Sequence, residues 1–388
     1  MKFILVFASI IYLSLSNIYC LAKEVKSSEG ILKVGLIIPL SGKHQEIGKS
    51  VLNSIRLALS KINDNRIEIF PKDNYSSPEK TLFAARQLEK EGIQIVIGPI
   101  FHQNLIYLKE VQNLTFLSLS NKTKIAPRNV ITMGINANSQ INAIVNFIKK
   151  ENLNKTIVLV PKSDFEDELR NALVKSKYEF MNIYSYDIKP NKLTSQIKQI
   201  TAYNERKEKL EKIVEFVERG IEILKKEEEL KNLKKKYTLG EVKFDSVLIA
   251  DFGENLKSIT SSFSFSDVTA QDVKFITLNQ WFDKTLLKES SANKIYFPSI
   301  NLINYSKFRE TYFKSYNKYP PQISILSYDI LGLIYYLKKT QGNNLVKNIF
   351  SQKMSYIGEV GEFSFKNKVI THKLNIYQVI GNQFLKIN

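Results

Sequence analysis

Chemistry in this chain would have to come from few groups. Its 388 residues include three histidines, at positions 44, 102 and 372, and one cysteine, Cys20. A single thiol excludes a disulfide framework and any multi-thiolate zinc or iron–sulfur site. Gly42-Lys43-His44-Gln45-Glu46-Ile47-Gly48-Lys49-Ser50 sits where a phosphate-binding loop would, after an apolar run and at the opening of a helical pattern. A P-loop needs four residues between its glycines, so that the backbone amides close round the phosphates; here there are five. Ser118-Leu119-Ser120-Asn121 lacks the flanking glycines of a nucleophile elbow. Asp164, Glu166, Asp167 and Glu168 fall where a helix should begin, and there their charge suits the positive end of the helix dipole. The residues read as binding chemistry without a nucleophile–base pair, and as a non-enzyme with no cofactor and no metal.

The composition is that of a folded chain. With 44% hydrophobic and 24% charged residues it is far from the signature of disorder, and its length suits two domain-sized cores. The net charge of +18 is spread along the chain and forms no basic stripe with interleaved aromatics, so nucleic acid is not an expected partner. Lys2 and the apolar run Phe3 to Leu15 read as a secretory signal at 1–22, cleaved near Ala22, which predicts export of the mature chain. Lipid anchoring at Cys20 is the lesser alternative, because Asn17-Ile18-Tyr19 lacks the small residues that such processing needs. No later stretch approaches ~18 apolar residues, so no transmembrane segment is expected in the mature chain.

From Leu32 onward short β-rich runs alternate with amphipathic ones, the order of a parallel α/β protein. Val34 to Ile38 suits a strand buried on both faces, and Ile47, Val51, Ile55, Leu59 and Ile62 form one helical stripe after it. Strands are expected at 67–70, 94–97, 115–119, 156–160, 182–186, 244–250 and 273–277. Helices are expected at 78–91, 102–112, 140–150, 164–178, 255–263, 305–316 and 322–339. The tail ends in a hairpin around Gly381-Asn382. Residues 203–237 break the rhythm with 11 basic and 9 acidic residues and an apolar face of Leu210, Ile213, Val214, Val217, Ile221 and Leu224, which predicts a docked helix or helical hairpin. Ligands of open parallel sheets bind outside the carboxyl ends of the strands, which directs attention to the loops at 39–47, 99–103, 118–122, 161–165, 250–253 and 278–281.

Val34-Gly35-Leu36-Ile37-Ile38-Pro39-Leu40-Ser41-Gly42, Val96-Ile97-Gly98-Pro99 and Phe116 to Asn121 resemble type I periplasmic binding proteins of the leucine/isoleucine/valine-binding kind. Tyr203-Asn204, Phe244 to Leu248, Trp281 and Ser327-Tyr328-Asp329 make the chain similar to the penicillin-binding protein activator branch. The resemblance implies two Rossmann-like lobes, each with a parallel sheet, joined by three crossovers near 133–137, 297–301 and 355–358. One lobe would comprise 31–135 with 300–355, the other 137–298 with 357–388, and the helical insertion at 203–237 would belong to the second. It implies a protein that promotes peptidoglycan synthesis by contact with a penicillin-binding protein or other cell-wall synthase, or by sensing a wall fragment. The alternative is a solute receptor of an ABC importer for amino acids or similar small polar ligands. The cleft between the lobes would use Ser41, Gln45, His102, Gln103, Ser118, Ser120, Asn121, Asp251 and Asn279 for hydrogen bonds, with Phe165, Trp281 and Tyr328 as aromatic walls. Phe101-His102-Gln103 replaces the small hydroxyl residues that hold an amino-acid carboxylate in relatives, and no acidic residue but Asp251 stands near for an ammonium group. A free branched amino acid is therefore not the expected ligand.

Overall fold

The first apolar run becomes β1 (Leu32–Ile38), buried from Val34 to Ile38 because neighbouring strands flank it on both edges and helices cover both faces. The computed structural model describes residues 30–387 except 125, 220–223, 343–352 and 367. The expected leader at 1–22, Cys20 and Ile221 lie outside the described residues. After β1 come α1 (Gln45–Ile62), β2 (Ile67–Asp73), α2 (Pro78–Lys90), β3 (Ile95–Ile97), β4 (Thr115–Ser118) and β5 (Val130–Thr132). They form a five-stranded sheet in the order β2-β1-β3-β4-β5, parallel throughout. Helix α1 buries Val51, Ile55 and Ala58 on one stripe and stops at Asn63, which takes a left-handed φ of 51° and returns its N–H to the Leu59 carbonyl. Ser77 caps α2, with Pro78 in the first turn where its missing N–H costs nothing.

The helix expected over 102–112 is instead two short 3-10 turns, His102–Leu105 and Leu108–Glu110. The apolar spacing explains the difference. Leu105, Leu108, Val111 and Leu114 are all buried and recur every three residues, the period of a 3-10 turn.

The chain then passes to a second lobe through α3 (Ala137–Lys150), β6 (Thr156–Pro161), α4 (Glu166–Lys175), β7 (Asn182–Tyr186), α5 (Pro190–Ile200), α6 (Tyr203–Arg219), α7 (Leu224–Leu233), β8 (Ser246–Ile249), α8 (Gly253–Phe265), β9 (Lys274–Thr277) and β10 (Tyr296–Ser299). Helix α5, absent from the expectations, opens on Pro190 and buries Leu193 and Ile197 one turn apart. The segment from Phe297, expected as a crossing, is still strand through Ser299; only residues 300 and 301 separate it from α9 (Leu302–Tyr316), and α10 (Ser324–Gln341) follows. The remaining strands are β11 (Met354–Ile357), β12 (Glu362–Lys366), β13 (Val369–His372), β14 (Asn375–Ile380) and β15 (Gln383–Ile387). The second sheet has the order β15-β14-β10-β9-β8-β6-β7, and its β14 and β15 form the expected hairpin, β14 running antiparallel to both β10 and β15. Strands β11, β12 and β13 form a small antiparallel sheet of their own.

The charged segment is helical, and α6 and α7 fold back on each other with Lys234 Nζ 2.5 Å from Glu218. Among the described residues of its expected apolar face, Leu210 and Val217 are buried, Val214 is half-buried and Ile213 is exposed, and Tyr203 at the start of α6 is buried as well. Apolar packing ties the molecule together at Phe282, whose ring meets Tyr305, Tyr377 and Phe384 at centroid distances of 4.8 to 5.8 Å. It belongs to the same cluster as α1, α10 and one face of the first sheet.

Candidate binding cleft

Parallel strands end together, so the loops after their carboxyl ends gather on one side of each sheet. Phe101 and His102 come after β3, Ser120 and Asn121 after β4, Phe252 and Gly253 after β8, and Leu278 to Trp281 after β9. All of them line one cavity of about 600 Å³ between the lobes. That volume is within the range of small-molecule sites. Ile135, Phe101, Phe165, Phe252, Leu278 and Trp281 make its walls largely apolar. Gly134 lets the first crossover reach the wall: a Cβ there would stand 2.6 Å from the Ser120 carbonyl oxygen and 2.7 Å from the Asn121 nitrogen.

Asn279 is held tightly in the cavity wall. Its Oδ1 accepts from the Trp281 N–H at 2.9 Å and the Ser299 hydroxyl at 2.8 Å, which fixes which way the amide points. Its own N–H donates to Gln140 Oε1 at 2.8 Å, and Gln140 Nε2 donates in turn to the Ile135 carbonyl. The Nδ2 donor is left buried with no acceptor among the described residues, in a residue only 8% exposed. Buried donors are nearly always paired, and an unpaired one costs about 1–3 kcal/mol.

Beside the cavity-lining His102, Lys122 Nζ lies 3.4 Å from His102 Nε2 and 3.5 Å from the Asp164 carbonyl oxygen. Burial, seconded by the Lys122 charge, holds the His102 imidazole below its ordinary pKa, against a weaker opposing pull from Asp164. His102 is therefore neutral at neutral pH and Lys122 is the cation there. Beside them the two lobes touch. Glu168 Oε1 accepts the N–H groups of Thr123 and Lys124 at 2.7 and 2.8 Å, and its Oε2 accepts the Thr123 hydroxyl at 3.1 Å. Lys124 Nζ reaches Asp167 at 2.8 Å. The acidic first turn of α4 thus does more than suit its dipole: it clasps the loop after β4 across the cleft.

Six of the twelve expected site residues, His102, Ser120, Asn121, Phe165, Asn279 and Trp281, come together in the cavity. The other six stand elsewhere. Ser41 donates to Asp73 at 2.6 Å, and Gln45 is exposed and takes a hydrogen bond from Lys49. Gln103 sits on the 3-10 turn that replaced the expected helix and does not line the cavity. Ser118 is fully buried and donates to the Pro99 carbonyl at 2.8 Å. Asp251 lies behind the wall, where the Tyr186 hydroxyl donates to one carboxylate oxygen and the Phe252 N–H, at 2.8 Å, to the other. Burial first, and then Asp251, pushes the Tyr186 phenol well above its ordinary pKa, so the pair stays a hydrogen bond. Tyr328 lines a separate cavity with Lys61, whose ammonium lies 5.6 Å from its ring centroid. Gln140, Phe101, Phe252, Asp283 and Gln322 line the cleft without having been expected. Phe101 and Phe252 lie within the loops expected at 99–103 and 250–253; Gln140 and Gln322 come from a helix and a distant turn that only the tertiary fold delivers.

Two lobes of parallel α/β order around such a cleft have known counterparts. Residues 31–204 match the model of the periplasmic binding protein family. The chain has the type I periplasmic binding protein fold. Full-length LpoA from Haemophilus influenzae superposes with a TM-score of 0.62 at 14% identity, over 93% of this chain and 59% of LpoA. The LpoA C-domain alone, described as a regulator of PBP1A, is covered completely, with 92% of this chain. A Rhodospirillum rubrum protein named for branched-chain amino acid ABC transport superposes with a TM-score of 0.69 at 11% identity, over 92% of this chain and 99% of its own. An uncharacterized Methanocaldococcus jannaschii protein is 25% identical over 178 residues, 40% of this chain and 43% of that protein. The chain thus spans about three-fifths of LpoA and less than half of the archaeal relative. Among the described residues no helix is long and apolar enough to cross a membrane, and no acidic, histidine or cysteine cluster is placed to hold a metal ion.

Proposed function

We propose that this chain is a non-enzymatic periplasmic protein of the penicillin-binding protein activator kind, promoting peptidoglycan synthesis by contact with a cell-wall synthase or by sensing a wall fragment. In this reading it is exported by its leader at 1–22. One lobe is 31–135 with 300–355, the other is 137–298 with 357–388, and the arm at 203–237 is part of the contact surface. The observation that carries the reading is the Glu168 clasp, a bridge made between the lobes by the protein's own groups. A protein acting by contact needs its outer surface presented in one arrangement, whereas a receptor must gain binding free energy by closing. The likeness over the whole LpoA C-domain supports the same reading.

The test is capture of purified penicillin-binding proteins by the immobilised mature chain, with glycan polymerisation rates measured beside it. Capture and faster polymerisation are expected, both lost on deleting 203–237 while far-UV circular dichroism and cooperative melting persist. No capture, together with strong stabilisation by a small solute, would instead favour a receptor feeding an ABC importer. The cavity and its unpaired Asn279 donor are what speak for that second reading.

A further inference from the structure

The cleft's polar groups are unevenly matched. Asn279 Nδ2 is a donor in need of an acceptor oxygen, fixed in direction by the two bonds that its Oδ1 accepts. Lys122, half-buried beside the cavity-lining His102, has no carboxylate ion-pair partner among the described residues; His102 Nε2 and the Asp164 carbonyl are its neighbours. Facilities for a positive group are fewer: the Asp164 charge acts on His102, but burial and Lys122 outweigh it there. Asp251 is spent on Tyr186, Phe252 and Asn255. Asp283, the carboxylate that does line the cavity, already caps the following turn through the Thr285 N–H at 2.9 Å. An ammonium group taken from water into apolar walls without a dedicated counter-ion is strongly disfavoured. A carboxylate beside Lys122 and a carbonyl oxygen on Asn279 would each satisfy a group that is otherwise unmatched, and Phe101, Phe165 and Trp281 supply aromatic surface in the cavity.

We infer that the cleft binds an amine-blocked carboxylate of the N-acyl amino acid class, its carboxylate at Lys122, its acyl oxygen on Asn279 Nδ2 and its apolar side chain against Trp281 and Phe165. This rests on reading the cleft as a ligand site, whether it serves sensing or uptake. The donor set and the walls select the occupant.

The chain has a single tryptophan, Trp281, and it lines the cavity, so its fluorescence reports on this site alone. The mature protein would be titrated with N-acetylphenylalanine, phenylalanine, N-acetylphenylalanine amide and 3-phenylpropionate, which in turn restore the amine, remove the carboxylate charge and remove the acyl oxygen. N-acetylphenylalanine is expected to bind at least about tenfold more tightly than each of the others, the worth of one charge-assisted or buried hydrogen bond. Lys122→Met and Asn279→Asp should each weaken it by about the same factor. Asn279→Asp keeps the oxygen that Trp281 and Ser299 use, and Lys122 stands on a loop, so melting of the free variants separates lost binding from lost folding. Even if one variant fails to fold, the ligand series on the unaltered chain decides. Phenylalanine binding as tightly as its acylated form, or unchanged binding in both folded variants, overturns the inference and leaves the cleft a ligand site. No response of Trp281 to any of the four probes overturns the inference and removes the support for a ligand site as well.

Discussion

Single buried side chains set how this protein should respond to pH. His372 is 4% exposed, holds the Met133 carbonyl at 2.9 Å, and burial pushes its pKa down to about 4 from 6.5. Between those values the unfolded chain binds the proton and the native one does not, so this residue costs stability as pH falls from 6.5 to 4. Asp329 is the opposite case. Burial pushes its carboxyl up to about 7 from 3.8, against the opposing Val360 and Glu359 N–H groups that it accepts at 2.7 Å. Here the native state holds the proton that the unfolded chain has lost, so stability falls as pH rises from 3.8 to 7. The two contributions oppose each other between pH 4 and 6.5, each at up to about 1.4 kcal/mol per pH unit. Relative to the unaltered protein, His372→Gln should gain stability towards pH 4, and Asp329→Asn should gain it towards pH 7. Urea midpoints from pH 4 to 8 measure both; parallel curves for all three proteins would dismiss the assignment. Gly134→Ala belongs at this scale too. Its Cβ meets backbone atoms, which cannot swing aside, so a loss of about 2–4 kcal/mol in urea unfolding is expected.

Among the elements, the helical arm is distinctly anchored. Arg206 at its base donates to the carbonyls of Gly240, Ser266 and Asp267 at 2.9 to 3.2 Å. Asp267 in turn accepts the N–H groups of Tyr237 and Thr238 at 2.7 Å, where the arm returns. Helices this polar rely on such pins beside burial: among the described residues of the expected apolar face, Leu210 and Val217 are buried and Val214 is half-buried. Arg206→Met leaves three carbonyls short of a donor. Amide exchange in α6 and at 237–240 should accelerate by about tenfold or more while β8 and β9 keep their protection. Equal acceleration everywhere would mean that the arm is part of the cooperative core. Much of the secondary structure was legible because burial on two faces writes continuous apolar runs and burial on one writes a helical stripe. The 3-10 turns after His102 were missed because buried leucines three apart satisfy a helical reading within its tolerance.

For the molecule as a whole, the clasp is one restraint between the lobes, beside the apolar packing at Phe282, and removing it should loosen them. Glu168 is 8% exposed and satisfies two backbone N–H groups and a hydroxyl of the opposite lobe. Removing it leaves those donors unpaired, which costs about 2–3 kcal/mol of interlobe contact. Glu168→Ala should enlarge the radius of gyration in small-angle scattering and speed amide exchange at Thr123 and Lys124. Lys124→Met should do much less, because its bond to Asp167 is exposed and screened. Scattering unchanged by Glu168→Ala would mean that other contacts hold the lobes.

The alternation of apolar runs and stripes is enough to determine two α/β lobes, because each strand and helix must hide its own apolar face and only a few layer arrangements hide them all. The same pattern locates the loops at the strand ends and half of the cleft residues drawn from them. Tertiary structure alone decided the rest. Whether Ser118, Asp251 or Tyr328 faces the cleft depends on partners distant in sequence, Pro99, Tyr186 and Lys61. Glu168 reads locally as a helix-start carboxylate and becomes a clasp only when the fold brings the Thr123 N–H of the opposite lobe to 2.7 Å. A side chain's chemistry is carried in the sequence, but the partner that uses it up or leaves it free is a fact of three dimensions.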